Sequence, residues 1–316
     1  MGNEKEEYIE QNTVGLIMKY YREKYGLKQS EICEGICSRL VVTRLEAGVR
    51  EVDSLTCETL LSRIGQEVNQ FEIMLDDKDY ENWILRDRLL KLIKEENYKN
   101  YEKVLELYQN QMDKENRLQY QFYLYCRIKY RLNRNDQRES IVDEIEKALL
   151  CTGHVEEKGK LYSKIELELS LIKIALLRQM ERIEVEDAEH KLLKLLEYVD
   201  KYYAKNQRQK LEQMIFEELV NAWEKVKEYK RALEYLDKLI QVTREQNNLF
   251  PLGRYFFTKV QFQEKLYGAQ IPKEEYVEEC RMAYYIYLMW EKKKEAEEVK
   301  KYCEEKLKCL IINQEW

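Results

Sequence analysis

The sequence predicts an all-α protein, with a small N-terminal bundle of short helices followed by a right-handed solenoid of paired helices. Ten glycines and two prolines in 316 residues leave few turns, which disfavours a fold of many short strands. Lys, Glu, Leu and Tyr dominate, which favours long amphipathic helices. The pattern changes near residue 70, so we expect one domain over residues 1–70 and another over residues 71–316.

Composition also limits where the protein acts. The net charge is -6, which argues against a protein that binds nucleic acid over its whole surface. Mean hydropathy is -0.70, and no stretch is apolar enough for a membrane span. The acidic start lacks the apolar core of a secretory signal, and the eight cysteines are scattered. We therefore expect reduced thiols and a cytoplasmic protein that does not contact membranes.

Signatures of catalysis and metal binding are missing from the sequence. His154 and His190 are far apart, and no Cys-x-x-Cys pair accompanies them. Residues 153–160 imitate a phosphate-binding loop, but the spacing is one residue too long and Leu161 replaces the Ser or Thr that binds Mg²⁺. We therefore expect no catalytic residue, no metal and no cofactor.

Glycines divide residues 13–65 into four short helical patterns. Thr13 begins the first and Gly26 ends it, and residues 28–34 form the second. After the turn at residues 35–37, Ser38 opens a third pattern that stops at Gly48, and a fourth begins at Ser54. Two short helices joined by a tight glycine-containing turn are the helix-turn-helix plan.

This segment resembles the DNA-binding domain of the phage-repressor/Cro type, and its most specific part is Arg-Leu-Glu-Ala-Gly at residues 44–48. The matching residues are Gly15, Arg22, Leu27, Gln29, Glu31, Ile32, Cys33, Ser38, Thr43, Arg44, Leu45, Glu46 and Gly48. The turn is one residue shorter than the commonest pattern. Residues 13–65 carry eight basic and seven acidic side chains, so affinity would depend on local geometry and dimerisation rather than on bulk charge.

The helix-turn-helix plan assigns roles to particular side chains. The first turn of the third helix would enter the major groove, where Arg39 can pair with guanine through two hydrogen bonds. Glu46 is expected to make a structural contact at the helix end. The candidates for base edges are Ser38, Arg39, Leu40 and Thr43, and the candidates for phosphate oxygens are Gln29, Arg44 and Arg50.

From about residue 70 the chain shows helix pairs at roughly 35–50-residue spacing. Breaks between helices are predicted at residues 96–97, 133–136, 151–153, 205–206, 227–228, 247–248 and 268–272. Residues 292–312 are predicted to form a last helix that covers the apolar end of the solenoid. Residues 219–236 resemble a tetratricopeptide repeat (TPR), on the strength of Leu219, Ala222, Trp223, Tyr229 and Ala232. A weaker copy starts at Asn97.

Stacked helix pairs of this kind form a superhelix whose first helices line a concave surface. An exposed amide such as Asn221 can donate to and accept from the backbone of an extended peptide, although it can equally bond a neighbouring repeat. The candidates for this surface are Glu217, Asn221 and Lys225, with Tyr123, Arg127, Arg254, Thr258 and Gln261 at analogous positions.

Together the two halves resemble the Rgg/PlcR type of peptide-pheromone-sensing transcription regulators. The resemblance is strongest over residues 27–65 and 219–236. It implies a cytoplasmic homodimer that binds a double-stranded DNA operator and, in quorum sensing, an imported short signalling peptide. By position, Asn221 matches an asparagine that binds the peptide backbone, whereas the repeat near residues 169–172 has no such asparagine.

Two other functions stay open at this point. The repeats can serve as a protein–protein scaffold without a peptide effector, or as a module that binds response regulators, as in other members of the wider repeat family. The Cro-like start disfavours the second, because those relatives carry a different N-terminal bundle. An enzyme is disfavoured most.

Overall fold

The computed structural model describes residues 13–49, 52–67, 76–95, 97–153, 161–246, 249–268 and 273–307. Every regular element in these ranges is a helix, so the all-α prediction is confirmed. The chain divides into two compact units, Met1–Met180 and Glu181–Trp316. The predicted boundary at residues 70 and 71 lies outside the described residues, as do Arg50, His154 and residues 308–316. Among the described helices, none is long and apolar enough to cross a membrane.

Four short helices open the first unit. They are α1 (Thr13–Lys24), α2 (Gln29–Cys33), α3 (Arg39–Glu46) and α4 (Ser54–Ser62). The start of α3 follows Ser38 as predicted, although the Ser38 hydroxyl makes no capping hydrogen bond. The start of α4 is capped by Asp53, whose carboxylate accepts from the backbone amide of Thr56. The apolar faces of these helices meet in a small core that contains Val14, Met18, Ile32, Val42, Leu45 and Leu60.

Close packing of α1 against α3 depends on Gly15. A Cβ atom at this position would lie 1.8 Å from the carbonyl oxygen of Leu45, which no side chain can accommodate. Only glycine lets the first turn of α1 approach the end of α3 this closely. The orientation of α3 is therefore determined in part by a backbone contact with α1.

Five longer helices complete the first unit. They are α5 (Asp77–Lys94), α6 (Tyr101–Gln111), α7 (Arg117–Asn133), α8 (Arg138–Leu150) and α9 (Lys164–Gln179). Successive helices pack against each other around a core in which Tyr101 and Tyr108 are fully buried. The Tyr101 hydroxyl donates to the carbonyl oxygen of Cys126 at 2.9 Å. Asp79 of α5 holds α4, accepting from the backbone amide of Ser54 at 2.8 Å and from its hydroxyl at 2.7 Å.

The second unit continues the pattern of consecutive packed helices. It contains α10 (Val185–Tyr202), α11 (Lys205–Lys225), α12 (Tyr229–Glu245), α13 (Phe250–Tyr267), α14 (Lys273–Met289), α15 (Lys293–Tyr302) and a π-helical turn at Cys303–Leu307. The amide of Gln246, just after α12, donates to the carbonyl oxygen of Gln209 near the start of α11 at 2.8 Å, so these two helices run antiparallel. They are the pair whose sequence resembles a TPR.

Burial within this pair follows the repeat pattern. Leu219, Ala222 and Ala232 have no solvent exposure, and Trp223 is 2 % exposed. The Trp223 indole donates to Glu189 of α10 at 3.1 Å, and the guanidinium of Arg231 lies 4.0 Å from the centre of its ring. The large aromatic residue thereby ties α10, α11 and α12 together.

Candidate functional site

The outer face of α3 carries the side chains expected to read DNA. Leu40 is 58 % exposed, and Ser38, Arg39, Thr43 and Arg44 are exposed as well. The opposite face of the helix is fixed in the core by Val42 and Leu45. A helix that is packed on one side and exposes polar and apolar side chains on the other has the form required for insertion into a groove.

The end of α3 is fixed by an ion pair with α1. Glu46 accepts two hydrogen bonds from the guanidinium of Arg22, at 2.6 Å from Nε and 2.9 Å from Nη2. Both groups are largely shielded from solvent, and Arg22 also donates to the carbonyl oxygen of Leu27 at 3.1 Å. The hydrogen bond to Glu46 is the main cause of the raised pKa of Arg22. The structural contact expected for Glu46 is therefore confirmed.

Gln29, the first residue of α2, connects this ion pair to the exposed face of α3. Its Nε2 donates to Glu46 at 2.9 Å. Its Oε1 accepts from Arg39 Nε at 3.3 Å and from the Thr43 hydroxyl at 3.0 Å. A carboxylate only accepts and a guanidinium only donates, so this is the one orientation of the amide that satisfies both neighbours.

The candidate peptide residues of the second unit lie on α11 and α13. Glu217 and Arg254 are brought together, with Oε1 and Nη2 2.8 Å apart. The Tyr255 hydroxyl also donates to Glu217, and burial is the largest cause of the raised pKa of Tyr255. One turn further along each helix, Asn221 is exposed and Thr258 is half-buried. The contacts of Glu217 thus link α11 to α13, the two helices that carry these candidates.

The remaining candidates are engaged within the protein. Lys225, near the end of α11, pairs with Glu181 at 3.1 Å. In the first unit, Tyr123 is 6 % exposed, and Arg127 stacks over its ring while pairing with Glu144. Tyr123 and Arg127 thus belong to a packed layer between α7 and α8.

A cavity of about 410 Å³ lies between α12, α13 and α14, apart from the candidate peptide residues. Lys259 is at its edge and forms ion pairs with Asp237 and Glu279, each at 2.9 Å. Arg244 lies over the ring of Phe256 at 5.2 Å. The cavity is lined by acidic, basic and apolar side chains, so its lining does not indicate one class of ligand. Among the described residues, no group of three or more His, Cys, Asp or Glu side chains could hold a metal ion.

Two residues of the first unit that support α3 were not assigned a role from the sequence. Arg22 was noted only as a matching position, yet it anchors Glu46 and through it Gln29. Arg63 follows α4 and donates to the carbonyl oxygens of Ile32 and Glu34, just before the turn that leads into α3. No local pattern indicates such contacts, because their partners are 24 to 31 residues away in the sequence.

Comparison with known proteins finds solved structures with a similar fold. No family model and no curated protein matches the sequence. PlcR of Bacillus thuringiensis, solved in complex with the peptide PapR7 and DNA, matches with a TM-score of 0.53 and 15 % identity over 91 % of this chain and 99 % of that chain. ComR from S. thermophilus, solved with DNA and its signalling peptide ComS, gives a TM-score of 0.47 and 16 % identity over 91 % and 97 % of the two chains. The chain therefore has a helical fold similar to that of PlcR.

Proposed function

We propose that the protein is a sequence-specific DNA-binding transcription regulator whose α3 reads the operator. The observation that carries this proposal is the exposed face of α3, where Arg39 and Thr43 are held by Gln29 beside the exposed Leu40. An arginine suits guanine and a leucine suits the methyl group of thymine. The structure of PlcR, which has a similar fold, includes DNA and supports the same function.

The DNA-binding proposal is tested with operators selected from random duplex DNA by the full-length protein. Arg39→Ala should weaken binding to the selected operator by about 5- to 150-fold, the range for loss of a bidentate base contact. Arg88→Ala, on the exposed surface of α5, is the matched control and should bind as the wild type does. Equal binding by wild type and Arg39→Ala would contradict the proposal that α3 contacts the bases of the operator.

We further propose that the operator is bound by a homodimer. Residues 13–65 have nearly balanced charge, so a single copy gains little from non-specific attraction to phosphates. Two copies on a palindromic site add their base contacts, as in other helix-turn-helix proteins. Sedimentation of the protein with one labelled duplex should give two protein chains per DNA, and a one-to-one complex would contradict the dimer.

The effector we propose is a short peptide bound on the surface formed by α11 and α13. Exposed Asn221 can pair with a peptide backbone, and Glu217 with Arg254 offers charges of both signs nearby. Calorimetry with a pooled library of short apolar peptides should give saturable heat with wild type and much less with Asn221→Ala. Lys230→Ala, exposed on α12, is the control. Identical heats for wild type and Asn221→Ala would exclude this surface.

A protein scaffold is the second candidate function. The observation in its favour is an exposed apolar patch, where Met289 is 69 % and Trp290 is 52 % exposed beside Phe250. Exposed apolar patches of this kind mark surfaces that contact other proteins. In that case peptides give no heat in calorimetry, while pull-downs recover a folded partner.

A further inference from the structure

Two thiols from separate helical elements meet where α15 ends. Cys280 lies within α14, and Cys303 is the first residue of the π-helical turn that follows α15. Both cysteines are reduced, and neither side chain is exposed to solvent. The Cys280 thiol donates a hydrogen bond to the sulfur of Cys303, so the two sulfur atoms are in direct contact.

Tyr302, the residue before Cys303, fixes this contact. Its hydroxyl donates to Glu264 of α13, and its ring meets Phe257 edge-on with the ring centres 5.2 Å apart. Tyr302 therefore anchors the end of α15 against α13 and keeps Cys303 beside Cys280. A disulfide needs sulfur atoms about 2.05 Å apart, so two thiols that already share a hydrogen bond require only a small approach to form one.

Cys303 is the nucleophile of the pair. The hydrogen bond from Cys280 lowers the pKa of the Cys303 thiol below its usual value, against the opposing effect of burial. In contrast, burial raises the pKa of Cys37 to about 11 and also raises that of Cys151, although both of these thiols are only half-buried. Because the thiolate is the form that attacks oxidants, Cys303 reacts once an oxidant reaches it.

On these grounds we propose that Cys280 and Cys303 are a redox pair, which a hydroperoxide converts to a disulfide that fixes the end of α15 to α14. This inference does not depend on DNA or peptide binding, and it gives the second unit a reversible response to oxidants. The oxidant gains access when the π-helical turn opens. That turn has five residues, of which Glu304, Glu305 and Lys306 are exposed. Short exposed elements open locally at much lower cost than the whole fold.

The reaction balances with the hydroperoxide as the oxidant. The Cys303 thiolate attacks the peroxide, an S–O bond forms as the O–O bond breaks, and the leaving oxygen takes up a proton. Cys280 then attacks the sulfenic sulfur of Cys303, the S–S bond forms as the S–O bond breaks, and hydroxide leaves with the Cys280 proton as water. The two thiols lose two electrons, and the peroxide gains them.

The test is a peptide map of the full-length protein after treatment with hydrogen peroxide. Remaining thiols are alkylated in denaturant, and trypsin then places Cys280 in peptide 274–281, Cys303 in peptide 302–306 and Cys309 in peptide 309–316. Mass spectrometry should find peptides 274–281 and 302–306 joined by a disulfide, and dithiothreitol should release them.

The matched control for this map is Cys151→Ala, which removes a half-buried thiol and should form the same link as wild type. A disulfide from Cys280 to Cys309 instead would overturn the inference. So would the absence of any link at a peroxide concentration that already oxidises Cys37 and Cys151.

Two serine variants identify the attacking sulfur. In Cys280→Ser the hydroxyl can still donate to Cys303 but cannot form a disulfide, so the reaction should stop at the sulfenic acid of Cys303. Dimedone labels this acid, and wild type should carry much less label because Cys280 consumes it. In Cys303→Ser, Cys280 should stay unlabelled, and equal labelling in the two variants would overturn the role of Cys303. Circular dichroism checks that both reduced variants fold, and the map of wild type needs no substitution.

Hydrogen exchange measures the effect of the disulfide on α15. The bond closes a loop from residue 280 to residue 303, about 24 residues, and so opposes detachment of α15 from α14. Oxidised wild type should exchange the amides of α15 about 10- to 100-fold more slowly than reduced wild type. Peroxide-treated Cys280→Ser should exchange as its reduced form does. Unchanged exchange in protein that carries the link between Cys280 and Cys303 would overturn the proposed fixing of α15.

Discussion

Arg63 and Glu166 form a buried ion pair that ties the end of α4 to the start of α9. Their side chains are 3 % and 0 % exposed, and Arg63 Nη2 lies 3.4 Å from Glu166 Oε1. Arg63 also donates to the carbonyl oxygens of Ile32 and Glu34, at 2.9 Å and 2.6 Å. Because the turn after Glu34 leads directly into α3, the orientation of that helix depends on a contact with a helix 103 residues further along the chain.

We expect Glu166→Gln to destabilise the protein by about 3–5 kcal/mol. The change leaves the buried guanidinium of Arg63 without its countercharge, and the cost of an uncompensated buried charge is large. Urea unfolding of the full chain measures this loss. Glu67→Gln breaks the ion pair between Glu67 and Lys164, which is exposed on both sides, and should cost less than about 1 kcal/mol. Equal losses in the two variants would show that the buried pair adds nothing.

The turn between α2 and α3 contacts the segment after α8, and Gly35 makes this contact possible. Its φ is 72°, and a Cβ atom there would lie 1.8 Å from the carbonyl oxygen of Thr152. Gly35→Ala therefore combines backbone strain with a clash. Gly26 has a similar φ of 67° with open space around it. We expect Gly26→Ala to cost about 1–2 kcal/mol from strain alone, and Gly35→Ala to cost about 1–3 kcal/mol more from overpacking. Thermal unfolding of both variants isolates the contact, and equal costs would contradict it.

Local signals in the sequence were sufficient for the short helices. The start of α3 follows Ser38, a residue type preferred before helices although its hydroxyl makes no capping hydrogen bond here. The helix ends before Gly48, which takes a positive φ of 88°. Signals of this kind act within one turn of the chain, so they can be read without knowledge of the fold. The exposed face of α3 follows from the same spacing, because Val42 and Leu45 must face the core.

The breaks between α6 and α7 and between α9 and α10 were not predicted, and neither contains a glycine or a proline. The chain turns between α9 and α10 at Glu181, a residue other than glycine with a φ of 59°. It also turns between α6 and α7 before Asn116, whose side chain accepts from the backbone amides of Leu118 and Gln119. The break predicted at residues 205–206 was wrong by two residues, since α10 ends at Tyr202 and α11 starts at Lys205.

The tertiary contacts of the candidate site could not be predicted from the sequence, because they depend on how the helices pack in the folded chain. Gln29 and Arg39 are ten residues apart, and both were named as candidates, but their bond depends on how α2 meets α3. The pairing of Arg63 with Glu166 depends on helices that are close only after the chain has folded. Charged residues are common in this sequence, so composition alone offers many equivalent partners for each.

In the second unit we expect Trp223→Phe to cost about 1–2 kcal/mol. Phenylalanine keeps most of the buried area, but it removes the donor to Glu189 and weakens the stacking of Arg231 on the ring. Glu189 keeps its hydrogen bond from the Tyr235 hydroxyl at 2.6 Å, which limits the loss. Trp290→Phe, at a site 52 % exposed, is the control and should stay within about 0.5 kcal/mol of wild type in urea unfolding. A larger loss at Trp290 than at Trp223 would contradict this assignment.

Tyr101 should make the protein sensitive to high pH. Burial raises the pKa of Tyr101 far above its usual value, because its hydroxyl is enclosed in the core of the first unit. Below about pH 10 Tyr101 is protonated in both the folded and the unfolded chain, so its ionisation does not change the free energy of unfolding. Above about pH 10 only the unfolded chain loses the proton. The free energy of unfolding then falls by about 1.4 kcal/mol for each pH unit from this group, and it continues to fall until the folded-state pKa is reached.

Tyr101→Phe should therefore have opposite effects at the two ends of the pH range. Near pH 7 it loses the hydrogen bond to the carbonyl oxygen of Cys126 and should be less stable than wild type by about 1 kcal/mol. As pH rises above about 10, wild type loses the contribution from Tyr101 while the variant does not, so the difference shrinks and then reverses. Burial raises the pKa of the Cys126 thiol to about 12 and the Tyr101 hydroxyl opposes that rise, so the thiol lowers the stability of both proteins at high pH. Urea unfolding measured across this pH range gives the two curves, with Tyr20→Phe, on a ring 60 % exposed, as the control that should follow wild type. Parallel curves for wild type and Tyr101→Phe would mean that the Tyr101 hydroxyl ionises equally easily in the folded and the unfolded chain.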